Sequence, residues 1–332
     1  MARRKQIKFY NDRLQGKLLD KDTCDKLESI IRLSEKKGCV PQVRHAICML
    51  SDDEIGQVKD QKSSEGIYRS EGTLSDMQTL SVSFMFFAKR CLIGDSVGLG
   101  KTVSFAAVSN MLKALHGEDT RFLYLTEKSF AEDTRTKLIA FTGRHVEMLY
   151  GEKRNIEKYE NECLGSGVSD TVGVHSLMRS KPFGEFVENY EDRHGEFPYK
   201  ILVVDESWVL RNSTTQLYKG GKKLADKVDY IYLLNATPFE THLADFYNQL
   251  NFLDPTFLPT NTAFSDAYEI MDYTGLYPEP SGKYKNEDIF RQQVGYRYFA
   301  QTRKMGGAKI KGCKAKIVTV PLNSDQKKLL NL

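Results

Sequence analysis

Two short stretches of this chain carry the residue types needed to hold a phosphate chain and attack it. The first, Gly94-Asp95-Ser96-Val97-Gly98-Leu99-Gly100-Lys101-Thr102, follows the apolar run Arg90–Ile93 and precedes a helical apolar pattern from Val103 to Leu115. Gly98 and Gly100, on either side of Leu99, let the backbone curl so that its N–H groups point inward at phosphate oxygens, and the following helix adds the positive end of its dipole. Lys101 then reaches the β- and γ-phosphates, and Thr102 offers a hydroxyl to Mg²⁺. The second stretch, Ile201-Leu202-Val203-Val204-Asp205-Glu206-Ser207-Trp208, is an apolar strand ending in two carboxylates. Many strands end in acidic pairs, but this one lies about a hundred residues after a phosphate-binding loop. There Asp205 reads as the Mg²⁺ ligand and Glu206 as the base for an attacking water. The cofactors implied are ATP and Mg²⁺, and Lys101, Asp205 and Glu206 are the candidate catalytic residues.

Such groups meet only if strands carry them to a common edge. From residue 90 onward, short β-rich runs alternate with helical segments: Arg90–Ile93, Phe122–Leu125, Val172–Val174, Ile201–Val204 and Tyr230–Leu234. This predicts an α/β fold with a mainly parallel sheet covered by helices on both faces, whose C-terminal strand edge binds the ligand. A later alternating run, Lys316–Pro321, is expected to return to the sheet edge.

The run Tyr230–Leu234 leads into Asn235-Ala236-Thr237-Pro238-Phe239 and a helical pattern through Leu243, Phe246, Tyr247, Leu250 and Leu253. Together with D-x-x-G-L-G-K-T at the loop, in which Asp95 stands where the general pattern has glycine, these segments resemble the first, RecA-like lobe of the Swi/Snf-type superfamily-two ATPases. The resemblance spans residues 74 to 332. It implies that Gln78, ahead of the loop, contacts adenine, that Asp95 belongs with the nucleotide-binding residues, and that Asn235 and Thr237 couple nucleotide state to DNA. By the same resemblance Lys128, Ser129, Ser176 and Arg211 touch phosphates of one DNA strand. The acidic motif departs from the family's D-E-A-H: Trp208, the single tryptophan, stands at the His position. An indole has one donor and cannot reproduce both faces of imidazole. The activity implied is ATP-driven translocation on double-stranded DNA that remodels protein–DNA complexes. A strand-separating lobe of the same superfamily and a non-catalytic ATP-binding scaffold stand as alternatives.

Composition permits this without demanding it. Lys plus Arg number 48 against 44 acidic residues, and the net charge of +4 does not single out a nucleic-acid binder. The six cysteines contain no C-x-x-C pair, and the spacing of Cys24, Cys39, His45 and Cys48 fits no common zinc pattern, so they read as reduced thiols. No stretch is apolar enough for a membrane span or a secretory signal, and a cytoplasmic location is expected. Residues 1–70, with Leu18, Leu19, Leu27, Ile30, Ile31 and Leu33 at helical intervals, read as a helical accessory segment and linker. Residues 71–255 read as the ATP-binding lobe, and 256–332 as a helical insertion and returning strand leading towards a second lobe. Thr302-Arg303-Lys304 and the stretch to Gln326 resemble the end of the family's first lobe. Since the family hydrolyses ATP between two lobes, this chain by itself is expected to bind nucleotide without efficient turnover.

Overall fold

The computed structural model describes residues 74–305, apart from 118, 165–168, 239–242, 275, 276 and 278, together with residues 29, 32, 33 and 36. Seven parallel strands form the sheet: β1 (Arg90–Ile93), β2 (Phe122–Thr126), β3 (Val146–Leu149), β4 (Asp170–Val174), β5 (Ile201–Asp205), β6 (Tyr230–Leu234) and, after a two-stranded antiparallel hairpin of β7 (Glu269–Asp272) and β8 (Glu279–Tyr284), β9 (Tyr298–Phe299). Their order is β3-β4-β2-β5-β6-β1-β9. The five expected strands are all present, and β5, which carries Asp205, lies between β2 and β6.

Continuous apolar runs suit strands buried on both faces, and alternate residues indeed enter two separate cores. Cys91, Ile93, Phe122, Tyr124, Val203 and Tyr232 face one, with α1 (Asp76–Ala88), α2 (Lys101–His116) and α3 (Ala131–Thr142). Leu92, Leu123, Leu125, Val204 and Leu233 face the other, with α5 (Lys181–His194), α6 (Gln216–Ala225) and α7 (Leu243–Leu253). A short helix, α4 (Lys153–Lys158), adds Ile156 to the second core. Helix α1 is apolar nearly all round because it is nearly all buried. Ser75 and Gln78 start it with a capping box, each side chain taking the other's backbone N–H.

Leu33, one of the helical residues near the N-terminus, packs against the α1–α3 core. The other apolar positions of the accessory segment, together with Cys24, Cys39, His45 and Cys48, lie outside the described residues. Beyond residue 255 the expectation of a helical insertion needs amending. The segment holds α8 (Asn261–Tyr268) and α9 (Glu287–Val294), but also the β7–β8 hairpin, and β9 completes the main sheet beside β1. The returning strand among the described residues is thus Tyr298–Phe299, while Lys316–Pro321 lies outside them.

Candidate functional site

Because every strand of the main sheet is parallel, the segments after β1, β2, β4, β5 and β6 emerge along one edge. After β1 the chain runs through the glycine loop into α2, whose N-cap is Gly100 in the left-handed region at φ +85°, with Gly98 at φ +87°. No side-chain cap closes the start of α2, so its first N–H groups remain available to an anion. The positive φ of Gly100 favours glycine here, and a Cβ would push the Gln78 amide aside. Lys101 Nζ donates to the Asp95 carbonyl at 2.8 Å, holding the ammonium over the loop.

The Asp95 carboxylate sits beneath the loop, 2% exposed. Ser81 Oγ donates to its Oδ2 at 2.5 Å, and Gln301 Nε2 approaches its Oδ1 at 3.5 Å. Burial raises its pKa to about 6, against the opposing pull of Ser81, Lys101 and Gln301. The place given to Asp95 among nucleotide contacts is therefore amended: its side chain supports the loop from behind, and its carbonyl is what meets Lys101. Gln78 Nε2 donates to the Leu99 carbonyl at 3.4 Å while its Oε1 serves the capping box, so the amide borders the loop with one N–H to spare.

Across from the loop, β5 delivers Asp205. Tyr124 donates to Asp205 Oδ2 at 2.8 Å, and the Glu206 N–H donates to Oδ1 at 3.0 Å. Thr102, the second residue of α2, supplies the hydroxyl assigned to Mg²⁺ beside this carboxylate's edge of the sheet. These are hard oxygen donors, the class Mg²⁺ prefers. Among the described residues no group of three or more His, Cys, Asp or Glu side chains could hold a metal. A single carboxylate with a hydroxyl therefore suits an ion that takes its remaining ligands from phosphates and water. Glu206 occupies the left-handed region at φ 50°, an uncommon conformation for a non-glycine residue that re-aims the chain as it leaves the strand. Burial raises the pKa of Asp205, and burial together with the neighbouring Asp205 charge raises that of Glu206.

Further along the edge, Lys128 and Ser129 follow β2, Ser176 follows β4 and Arg211 follows β5; all four side chains are exposed. They lie on three adjacent strands. Asn235 is buried and its Oδ1 accepts from the Thr237 N–H at 3.1 Å, while the Thr237 side chain is exposed. Trp208 is 44% exposed, with the Arg211 guanidinium 5.5 Å from its ring, a cation–π pair on the surface.

Several contributors lay outside the sequence reading. Tyr124 reads as one more apolar strand residue. His175 is buried, and its Nε2 donates to the Asp205 carbonyl at 2.7 Å. Burial lowers its pKa, partly offset by the bond to the Asp205 carbonyl, and the ring ties the segment after β4 to β5 behind the carboxylates. Gln301 and Arg303 extend the line of β9 along the glycine loop: the Ser96 N–H donates to the Gln301 carbonyl at 2.9 Å, and Arg303 Nε donates to the Val97 carbonyl at 2.8 Å. Of these, His175 and Arg303 carried a signal, since both lie within segments that resemble the family pattern. A cavity of about 360 Å³ lined by Tyr268, Tyr284, Phe290 and Tyr298 includes none of the candidate residues.

Residues 170–331 match the SNF2-related domain family. Human chromodomain-helicase-DNA-binding protein 6 is 24% identical over 248 residues, which covers 70% of this chain and 9% of that protein. The Arabidopsis thaliana protein CHROMATIN REMODELING 4 is 24% identical over 197 residues, 54% of this chain and 8% of its own length. This chain therefore spans less than a tenth of these relatives. Among solved structures, the Sulfolobus solfataricus SWI2/SNF2 ATPase core in complex with dsDNA superposes with a TM-score of 0.55 at 21% identity, covering 71% of this chain and 46% of that one. The Sulfolobus solfataricus SWI2/SNF2 ATPase core domain superposes with a TM-score of 0.53 at 21% identity, covering 71% of this chain and 45% of that one. The fold is that of one RecA-like lobe.

Proposed function

We propose that this chain, an SNF2-like superfamily-two ATPase lobe, is the ATP-binding half of a DNA-dependent ATPase that translocates on double-stranded DNA and remodels protein–DNA complexes. One observation carries the reading: Lys101 and Thr102 open α2 after β1 on the same edge of the sheet where β5 delivers Asp205 and Glu206, with Tyr124 holding the Asp205 carboxylate.

In this reading the loop N–H groups and Lys101 bind the phosphate chain at the start of α2. Thr102 and Asp205 would hold Mg²⁺, which when bound offsets the negative charge of the phosphoryl oxygens. Glu206 orients a water and takes its proton as that water attacks the γ-phosphorus. Tyr124 and His175 fix Asp205 from two sides, at its carboxylate and at its carbonyl. Duplex DNA lies along the β4–β2–β5 part of the edge, where Lys128, Ser129, Ser176 and Arg211 meet phosphates without reading bases. A second RecA-like lobe, from the same polypeptide or a partner, closes over the nucleotide and adds arginines. Such residues contribute about 10³- to 10⁵-fold in rate in enzymes that use them. This lobe alone therefore turns over ATP slowly.

The test is ATP hydrolysis by this chain and by the full-length protein, each with and without duplex DNA, with Glu206→Gln as control. Turnover by the full-length protein that rises with DNA and vanishes in the variant is the expected result. Nucleotide binding without turnover in either would replace the motor with a scaffold. Strand separation on a forked duplex would replace duplex tracking with unwinding.

A further inference from the structure

By the resemblance a histidine at residue 208 would hydrogen-bond toward the Asn235–Pro238 segment and couple nucleotide state to DNA, yet Trp208 stands there and lies at the surface against Arg211. A buried polar connection runs one residue earlier. Ser207 Oγ donates to Gln249 Oε1 at 2.8 Å, and Asn235 Nδ2 donates to the same oxygen at 3.2 Å. Gln249 Nε2 in turn donates to the Pro238 carbonyl at 2.5 Å and to the Asp245 carbonyl at 3.0 Å. All four bonding positions of this amide are used, and Ser207, Asn235 and Gln249 are each fully buried.

The network reaches both halves of the nucleotide site. Ser207 follows Glu206 directly, and the Asn235 N–H donates to the Ile93 carbonyl at 3.0 Å, the last strand residue before the glycine loop. Next to Gln249 on α7, Asn248 Nδ2 donates to the Arg211 carbonyl at 2.6 Å. Helix α7 therefore grips both ends of the turn 207–211, which joins the carboxylates to the DNA-facing side. A fully satisfied buried amide permits one arrangement of its partners, and displacing Ser207 or Asn235 leaves the other's partner to be re-paired.

We propose that Gln249 is a positioning residue that couples engagement of DNA at Arg211 to the placement of Glu206, taking over at Ser207 and Asn235 the link that a motif histidine would make. It acts through Ser207 and touches no substrate. The inference rests on the proposed function, and its test separates the two.

In the full-length protein, Gln249→Leu removes the amide at similar volume. Gln249→Glu keeps the oxygen that Ser207 and Asn235 bond and removes the donors to Pro238 and Asp245. The readouts are the ratio of ATP turnover with saturating duplex DNA to turnover without it, the affinity for a fluorescent ATP analogue, and the melting temperature. Gln249→Leu should lower the stimulation ratio about tenfold, and Gln249→Glu about threefold, with nucleotide affinity within about twofold of wild type. The variant Ser207→Ala breaks the bond to Gln249 Oε1 while Asn235 and the rest of the Gln249 amide keep theirs. It should keep a melting temperature above that of Gln249→Leu while the ratio falls as in that variant. A folded Gln249→Leu protein that keeps the wild-type ratio overturns the inference alone. A ratio that follows melting temperature across the three variants also overturns it, by reducing Gln249 to a structural residue. A wild-type protein whose turnover DNA does not raise overturns the inference and the function beneath it.

Discussion

The sheet edge divides at β5 into two regions built by opposite means. From β5 towards β9, three groups of the candidate site have partners behind them: Asp95 has Ser81 and Gln301, Asp205 has Tyr124 and His175, and Asn235 has Gln249. Towards β4, the groups assigned to DNA, Lys128, Ser129, Ser176 and Arg211, stand exposed. Phosphoryl transfer gains most from donors and charges held in place before the reaction, because reorienting them during it costs energy. A duplex backbone is a regular array of charge, and a protein moving along it is served by several weak, screened contacts that form and release. The molecule thus backs with buried polar partners the groups for which sub-ångström placement matters.

That contrast can be broken by substitutions on each side. Lys101→Ala on the nucleotide side should lower ATP turnover about 10²- to 10³-fold, measured as kcat at saturating DNA in the full-length protein. Gly100→Ala should destabilise the fold by about 1 to 3 kcal/mol, because alanine meets both the positive φ and the Gln78 amide; urea denaturation would read this directly.

Asp95 gives a pH-dependent contrast. Its pKa is raised to about 6 from an ordinary 3.8, so the native state binds that proton more tightly than the unfolded chain does. The resulting stability is fully present below about pH 4 and is lost as pH rises through about 6. Wild type should therefore gain on Asp95→Asn, by up to about 2 kcal/mol, as pH falls from 7 to 4.5, in denaturation curves of the two proteins run in parallel. Asp170, also raised to about 6 by burial despite its ion pair with Arg144, titrates in both proteins and drops out of the difference.

On the DNA side the effects should be smallest. Lys128→Ala and Arg211→Ala should each weaken duplex binding several-fold regardless of sequence and reduce the salt slope by about 1, with stability within about 0.5 kcal/mol of wild type. A stability loss on this side comparable to that of Gly100→Ala would erase the distinction between the two regions.

The chemistry-bearing residues were legible because their spacing is local: glycine loop before helix, carboxylates at the end of an apolar run, Asn-x-Thr-Pro after another. Strand β3, Val146–Leu149, escaped notice because its inner residues Glu147 and Met148 are only half-buried, so no sustained apolar run announces it. Strand β9 contributes two residues and takes its identity from β1. The supporting partners were hidden for the same reason: Ser81, Gln249 and Gln301 are ordinary polar residues in sequence, and only folding brings them from 14 to 206 residues away onto the groups they serve. The hairpin at 269–284 interrupts a stretch whose flanking helices dominate its pattern.

The place of β9 beside β1 has a consequence for the chain's birth. The glycine loop is complete in sequence by residue 102, yet Gly94, Ser96 and Val97 bond to Phe299, Gln301 and Arg303. A nascent polypeptide emerging from a ribosome therefore carries an unwalled loop for about two hundred residues of synthesis. Nucleotide affinity should mature late, as the last strand docks, and the half-made lobe leaves its β1 edge open to chaperones in the interval.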